Sequence, residues 1–275
     1  GGEGIAKLDR DSNVLWASSI RAHHDLETLP DGSTYVLTRK AHILPRLHAE
    51  EPVLEDFITL LDPDGNELHS VSLIECFENS PYAAIFNSRF RETGDVLHTN
   101  TLRVLTGSCN EQVPWDQEGY ILTCFRALDL IAVVDLKTQE VVMTKRGGFK
   151  AQHDPKLLPN GNLLLFDNKR GGRESRVLEF DPVSWQVVWK YEGTSDAPFL
   201  SRNCGLADRL PNGNTLIVET AYGRAFEVLP NGTIVWEFHN PDRAGDHDQY
   251  IATLSELIRL PLDYPLDWVQ SPARQ

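Results

Sequence analysis

Along this chain apolar and polar residues alternate over short runs, and turn residues separate the runs. LPDGSTYVL begins at Leu29, LPNGNLLLFDN at Leu158 and LPNGNTLIVET at Leu210. In each, an Asp-Gly or Asn-Gly pair supplies the positive-φ positions of a tight hairpin, and a β-rich run follows. A second recurring unit is an apolar strand after a polar turn, often carrying Trp. It reads SNVLWASS around Trp16, GNELHSVSL around Leu68, QEVVMTK around Met143, QVVWKYEG around Trp189 and GTIVWEFHN around Trp236. Several short strands repeating every ~40–50 residues are what β-propeller blades produce. Few stretches hold a 3.6-residue apolar period, which disfavours helical solenoids.

The pattern therefore predicts an all-β fold: one β-propeller domain over residues 1–275, with a ligand site at one mouth of the central channel. The five outer-strand units imply six blades, or five. The interval from Leu68 to Met143 is too long for one blade, so it predicts an insertion within 74–120 or an extra blade. ELIRL, Glu256–Leu260, is the candidate strand that closes the ring. Pro261, Pro265 and Pro272 mark a meandering tail over 261–275. The alternative is an open or sandwiched all-β fold in which the spacing is coincidental.

Composition narrows the function classes. A chain of 275 residues buries enough surface to need no disulfide staples. Its 26 Lys and Arg stand against 40 Asp and Glu, a net charge of −14. That balance argues against a nucleic-acid binder, which needs a basic face to displace counterions, and against contact with anionic lipid. It leaves an anionic small molecule open, because a few local cations override the global field. No apolar run approaches the ~20 residues of a membrane span. The opening GGEGIAKLDRDSN shows no apolar signal region, and a leader removed from the mature protein stays compatible with it. Cys76, Cys109, Cys124 and Cys204 form no CxxC pair, so zinc-ribbon and thioredoxin chemistry have no support. Cys109 and Cys124 are near enough in sequence to bridge a hairpin, and reduced thiols fit equally well.

Propellers line their channel with the first strand of each blade, which here precedes the LPxG turns. Two of these segments carry matching pairs, His24-Asp25 in AHHDLETLPDG and His153-Asp154 in QHDPKLLPNG. The third copy, NCGLADRLPNG, has Gly205 in the place of the histidine. GDVLHTNTLRVL puts His98 and Asn100 on alternate positions of a predicted strand, so both face one side. Three imidazoles from three blades can serve proton transfer, nucleophilic attack or metal ligation. His42, His48, His69 and His239 read as solvent-facing or loop residues, and His247 as a rim residue. Arg126, where one strand hands over to the next, and Arg176, which opens a strand, can each grip two oxygens of an oxyanion. Asp167 and Asn168 read as residues that end a strand and shape its turn. Trp16, Trp189 and Trp236 read as packing between blades.

The series DVLHTNT, ILTCFRALDLIAVVD, QHDPKLLPNGNLLLFDN, SRVLEFD, LPNGNTLIVET and GRAFEVLPNGTIVWEF, over roughly residues 88–240, resembles the arylsulfotransferase family of bacterial β-propellers that use no nucleotide sulfate donor. The resemblance implies a six-bladed propeller, exported to the periplasm or secreted. It implies transfer of a sulfuryl group from an aryl sulfate ester to a phenol through a sulfurylated histidine. By motif, His98, His153 and Arg176 match the family's catalytic positions, and Asn100, Arg126, His24 and Asp154 become substrate-binding candidates. No cofactor is implied. In the family the nucleophilic histidine lies on the blade after the SR segment. This chain has no histidine between His153 and His239, and offers Asn203, Cys204 and Tyr222 there instead. Either His153 or His98 takes over as nucleophile, or the match is displaced by a blade, or the chain lacks this activity.

Sulfuryl transfer resembles phosphoryl transfer, with charge spread over three equatorial oxygens and the attacking and leaving groups in line. Arginines would hold those oxygens, while histidines attack, accept or supply protons. Two other classes compete: a metalloenzyme with one divalent ion on His24, His98 and His153, oriented by the Asp partners, and a non-catalytic propeller that binds a small anion or a protein. The partners in the enzyme reading are small molecules, an aryl sulfate and a phenol.

Overall fold

The computed structural model of the chain describes residues 2–87 and 93–266. Parts of two sequence expectations, residues 88–92 of the 74–120 insertion and residues 267–275 of the tail, lie outside the described residues. In chain order the elements are β1 (Ile5–Leu8), β2 (Val14–Ser18), β3 (Ala22–Thr28), β4 (Thr34–His42), β5 (Val53–Leu61), β6 (Glu67–Ser72), α1 (Leu73–Glu78), α2 (Ala83–Asn87) and β7 (Gly94–Asp95). They continue with β8 (Thr99–Val104), β9 (Ile121–Phe125), β10 (Leu130–Asp135), β11 (Glu140–Arg146), β12 (His153–Leu157), β13 (Leu163–Asp167), β14 (Arg176–Phe180) and β15 (Val187–Glu192). The last are β16 (Leu206–Arg209), β17 (Thr215–Glu219), β18 (Arg224–Val228), β19 (Ile234–His239), β20 (Arg243–Ala244) and β21 (Tyr250–Ile251).

The strands form antiparallel blades in a propeller arrangement: β3–β6 with β7 added in parallel to β5, then β8–β11, β12–β15 and β16–β19. There are thus four complete blades among the described residues, where the repeat count predicted six or five. The reason is visible at the N-terminus. All five outer-strand units exist, as β2, β6, β11, β15 and β19, but β2 belongs to a two-stranded sheet with β1 alone. That hairpin still packs as the outer half of a blade. Trp16 Nε1 on β2 donates to Pro63 O at 2.9 Å. Trp189 Nε1 on β15 makes the same contact with Pro230 O at 2.8 Å, in the turn between the two outer strands of the next blade.

Among the described residues the long interval contains two short helices and the β8–β9 connection between Val104 and Ile121. Ser72 caps α1, its hydroxyl accepting from Glu75 N, and Ile74 and Phe77 of α1 join the core between the first two blades. Further cores fill the second and third interblade spaces. In the third, the Phe199 ring meets Phe166, Tyr191 and Phe226 at 5.4, 5.5 and 5.6 Å between centroids, within the range favoured by aromatic pairs.

The LPxG turns close the inner hairpins as their residues require. Gly32, Gly161 and Gly213 take φ of 87°, 82° and 87°, where L-residues are disfavoured. Asp31, Asn160 and Asn212 each accept from the backbone N–H two residues on, the Asx-turn contact.

ELIRL is not a strand, but it sits where an inner strand would. Arg209 of β16 donates to Glu179 Oε2 at 2.6 Å and lies 4.6 Å from the Trp189 ring centroid. Arg259 repeats both contacts one blade later, with Glu227 Oε2 at 2.7 Å and the Trp236 ring at 5.5 Å.

Candidate active site

Each of the first three inner strands begins with a bulge. The register slips between Ala22 and Leu26 in β3, between Thr99 and Leu102 in β8, and between His153 and Lys156 in β12. At these starts His24, His98 and Asp154 take φ of 54°, 53° and 54°, a conformation that costs a non-glycine residue ~1–3 kcal/mol and clusters at functional sites. Bulges re-aim side chains.

The result is a cluster of imidazoles. The His24 ring centroid lies 5.1 Å from those of both His23 and His98. His24 and His153 line one cavity of about 200 Å³, together with Asn100, Arg103, Cys204 and Glu256. The charges of Arg126, His24 and His98 all reach His153. Arg126 stands in the 3-10 turn after β9, where its backbone N–H donates to His98 O and its guanidinium donates to Asn203 Oδ1 at 3.0 Å. Four sequence candidates, His24, His98, His153 and Arg126, are therefore brought together.

The hydrogen bonds fix where the protons sit. Thr38 O can only accept, so His23 Nε2 carries the proton in their 3.2 Å contact. Neutral His23 then offers the Nδ1 lone pair to His24 Nδ1–H at 2.8 Å. His98 Nδ1–H donates to Asp95 Oδ2 at 2.6 Å. Asn168 uses its Nδ2 on Ser201 O and Cys204 O, which turns its Oδ1 to accept from His153 Nδ1–H at 2.7 Å. In His24 and His153 Nδ1 holds the proton and Nε2 faces away from that bond, and in His98 Nδ1 likewise carries the donated proton.

Burial sets the charge states. It drives His153 down to about 4, beyond what the bond to Asn168 restores, with Arg126, His24 and His98 adding to the fall. Burial, then the neighbouring His98 and Arg39, push His24 to about 4. Burial, then Arg39 and His24, push His23 to about 3. For Asp95 burial works upward, but the bond and charge of His98, and then Arg39, outweigh it and hold the carboxyl below its ordinary value. Near neutral pH the site therefore presents uncharged His23, His24 and His153, and a carboxylate paired to His98.

Other sequence candidates do different work. Asp154 is buried in an ion-pair network instead of facing a substrate: it pairs with Arg103 at 2.9 Å and Lys156 at 3.0 Å, and its Oδ2 accepts from Ala207 N of the next blade. Asp25 does the same one repeat earlier, with Arg103 at 2.7 Å and Leu102 N at 2.8 Å. Asn100 lies in the cavity wall with both amide ends taken, Nδ2 by Gln152 O and Oδ1 by Thr101 and Cys124. Arg176 is directed elsewhere: its guanidinium binds Asp167 at 2.8 Å and Gly148 O at 2.6 Å, beside a separate cleft. Among the described residues no group of three His, Cys, Asp or Glu is placed to hold a metal ion. All four cysteines are free. The Cys124 thiol faces Asn100, and burial pushes it up to about 12.

Sequence reasoning missed His23, Arg103 and the role of Asn168. The doubled histidine of AHHD was a signal for the first. Aligning the inner strands on their LP or VL ends would have found the second, since Glu27, Arg103, Lys156 and Asp208 occupy one repeat position and the last three join in one network.

The sequence as a whole matches the family model described as Arylsulfotransferase (ASST), over residues 2–241. The chain belongs to the arylsulfotransferase (ASST) family. No curated protein matches it. Among solved structures it is similar to a protein of unknown function from Bacteroides caccae, at 16% identity and a TM-score of 0.51, covering 89% of this chain and 72% of that one. It is also similar to the β-propeller domain of Cps50 (Swd1) from Myceliophteria thermophila, at 12% identity and a TM-score of 0.52, covering 88% and 68%. At such identities these likenesses speak to the propeller fold alone.

Proposed function

We propose that this ASST-family protein transfers a sulfuryl group from an aryl sulfate ester to a phenolic acceptor through its imidazole cluster, with His98 as nucleophile. The observation that carries the choice is the 2.6 Å bond from His98 Nδ1 to Asp95. A carboxylate there stabilises the positive charge that the ring acquires on attack, the role of the acid in a Ser-His-Asp triad.

In the first half-reaction the His98 Nε2 lone pair attacks sulfur. The N–S bond forms, the S–O bond to the aryl group breaks, and its electron pair leaves on the phenoxide. In the second, the acceptor oxygen attacks sulfur, the N–S pair returns to Nε2, and the acceptor's proton passes to the neutral His24 or His153. Arg126, whose charge reaches His153, supplies positive charge to the sulfuryl oxygens. The buried, neutral imidazoles beside it suit a base, because a group with a depressed pKa stays unprotonated at neutral pH.

The test is release of the phenol from a chromogenic aryl sulfate in the presence of a phenolic acceptor. The reading expects turnover by the protein and a loss of at least ~10²-fold in His98→Ala. No release above the His98→Ala background would refute it. We also propose that the protein works in the periplasm or outside the cell, a reading supported only by the family resemblance, and fractionation of the source cells tests it. No helix among the described residues is long and apolar enough to cross a membrane.

A further inference from the structure

The sequence contains the triplet Arg-Gly-Gly twice, at Arg146–Gly148 and Arg170–Gly172. The fold sets them together. The first leads from β11 toward β12 and the second joins β13 to β14, and both line a cleft of about 930 Å³ outside the imidazole cavity. Five cations line it: Arg146, Lys150, Lys169, Arg170 and Arg176. Two acids line it, with protein donors on both, and Glu192 stands beside it 4.0 Å from Arg176 Nη1. Asp167 accepts from Arg176 Nε at 2.8 Å and from the backbone N–H groups of Lys150 and Lys169 at 2.8 and 3.0 Å. Asp129 accepts from Ala151 N at 2.8 Å and Arg170 Nη2 at 3.0 Å.

Positive charge is thus concentrated at one concave place in a protein of net charge −14. Cations held this close repel one another, and an anion between them removes that cost. The glycines keep the cleft open. Gly147 and Gly171 take φ of 84° and 85°, and a Cβ built on either meets nothing within 4 Å.

We propose that this cleft binds a ligand carrying two or more oxyanion groups, of the phosphate or sulfate ester type. The two Arg-Gly-Gly triplets border one cleft, so a linear polyanion can reach both, whereas a single oxyanion group can meet one at a time. The site adjoins the imidazole cluster through Asn168, which bonds His153 and is followed in sequence by Lys169. Its binding does not depend on the sulfuryl-transfer reading.

Isothermal titration of the full chain with inorganic tripolyphosphate and, separately, with a trisulfated disaccharide tests this. Lys150 is exposed and Lys169 is half-buried, so Lys150→Gln with Lys169→Gln leaves the fold intact, which circular dichroism checks. At least one probe is expected to bind below about 1 mM at low salt and to weaken at least about tenfold in the double variant. The probe that binds more tightly distinguishes a phosphate ligand from a sulfated sugar. Binding by neither probe, or equal binding by the double variant, overturns the proposal. An affinity that falls in His98→Ala instead would place the anion in the channel and would also overturn it.

Discussion

His153→Phe gives a quantitative test of the site's electrostatics. The native ring is buried and neutral, with its pKa lowered from 6.5 to about 4. In the unfolded chain the same ring titrates normally. Its folded pKa is the lower one, so as pH falls from ~6.5 toward ~4 the unfolded state takes the proton first and stability is lost. At about pH 5 the unfolded ring is mostly protonated and the native ring mostly is not, a penalty of about 2 kcal/mol that is nearly absent at pH 7. Phenylalanine keeps the ring's bulk but does not titrate. It also leaves Asn168 Oδ1 without its 2.7 Å partner, which costs about 1–3 kcal/mol at every pH. The variant is therefore the less stable protein at pH 7, and the gap closes by about 2 kcal/mol at about pH 5. Burial raises the pKa values of Asp25, Asp56 and Asp154, which acts in the opposite direction, but both proteins share these groups and the difference cancels them. Urea midpoints followed by the fluorescence of the six tryptophans give the gap. A gap that stays constant or widens on acidification would refute the buried, neutral imidazole.

The remaining expectations are simpler to read. Arg209→Met leaves Glu179 buried without its cation, and thermal melts should show a loss of about 3 kcal/mol; Arg259→Met breaks the corresponding but more exposed pair and should lose less than about 1 kcal/mol. Cys204 is exposed and the other three cysteines are buried, so a disulfide-exchange reagent should label Cys204 alone until the protein is denatured. Asp95→Asn keeps the His98 contact but removes the carboxylate, so turnover should fall by about 10²–10⁴-fold with binding of the sulfate ester little changed. Protein purified without added metal should show no stoichiometric ion by elemental analysis; an ion lost on replacing His24, His98 and His153 together would restore the metal reading.

Much of this architecture could be read directly from the chain. Turn chemistry and alternation located the LPxG hairpins and all five outer strands, because both signals are local. Blade number was not local. Trp16 marks an outer strand as clearly as Trp189 does, yet nothing near it reveals that β1 and β2 form a two-stranded sheet. For the site, the His24–Asp25 and His153–Asp154 pairs lie on β3 and β12, but the sequence does not show which way each side chain turns. The bulges turn His24 and His153 into the cavity, while Asp25 and Asp154 accept from the next blade's backbone. Arg176 shows the limit of motif matching, since its side chain is taken up by Asp167 and Gly148. Asn168 read as a turn residue because its contacts with His153, Ser201 and Cys204 span distant stretches of sequence.

Rapid quenching of the protein after mixing with an aryl sulfate, followed by peptide mass spectrometry, is the most direct measurement. The account predicts one added SO₃ on the peptide that contains His98, formed before acceptor is supplied, discharged when a phenol is added, and missing from His98→Ala. Phenol release with no sulfurylated histidine at position 98 would contradict it.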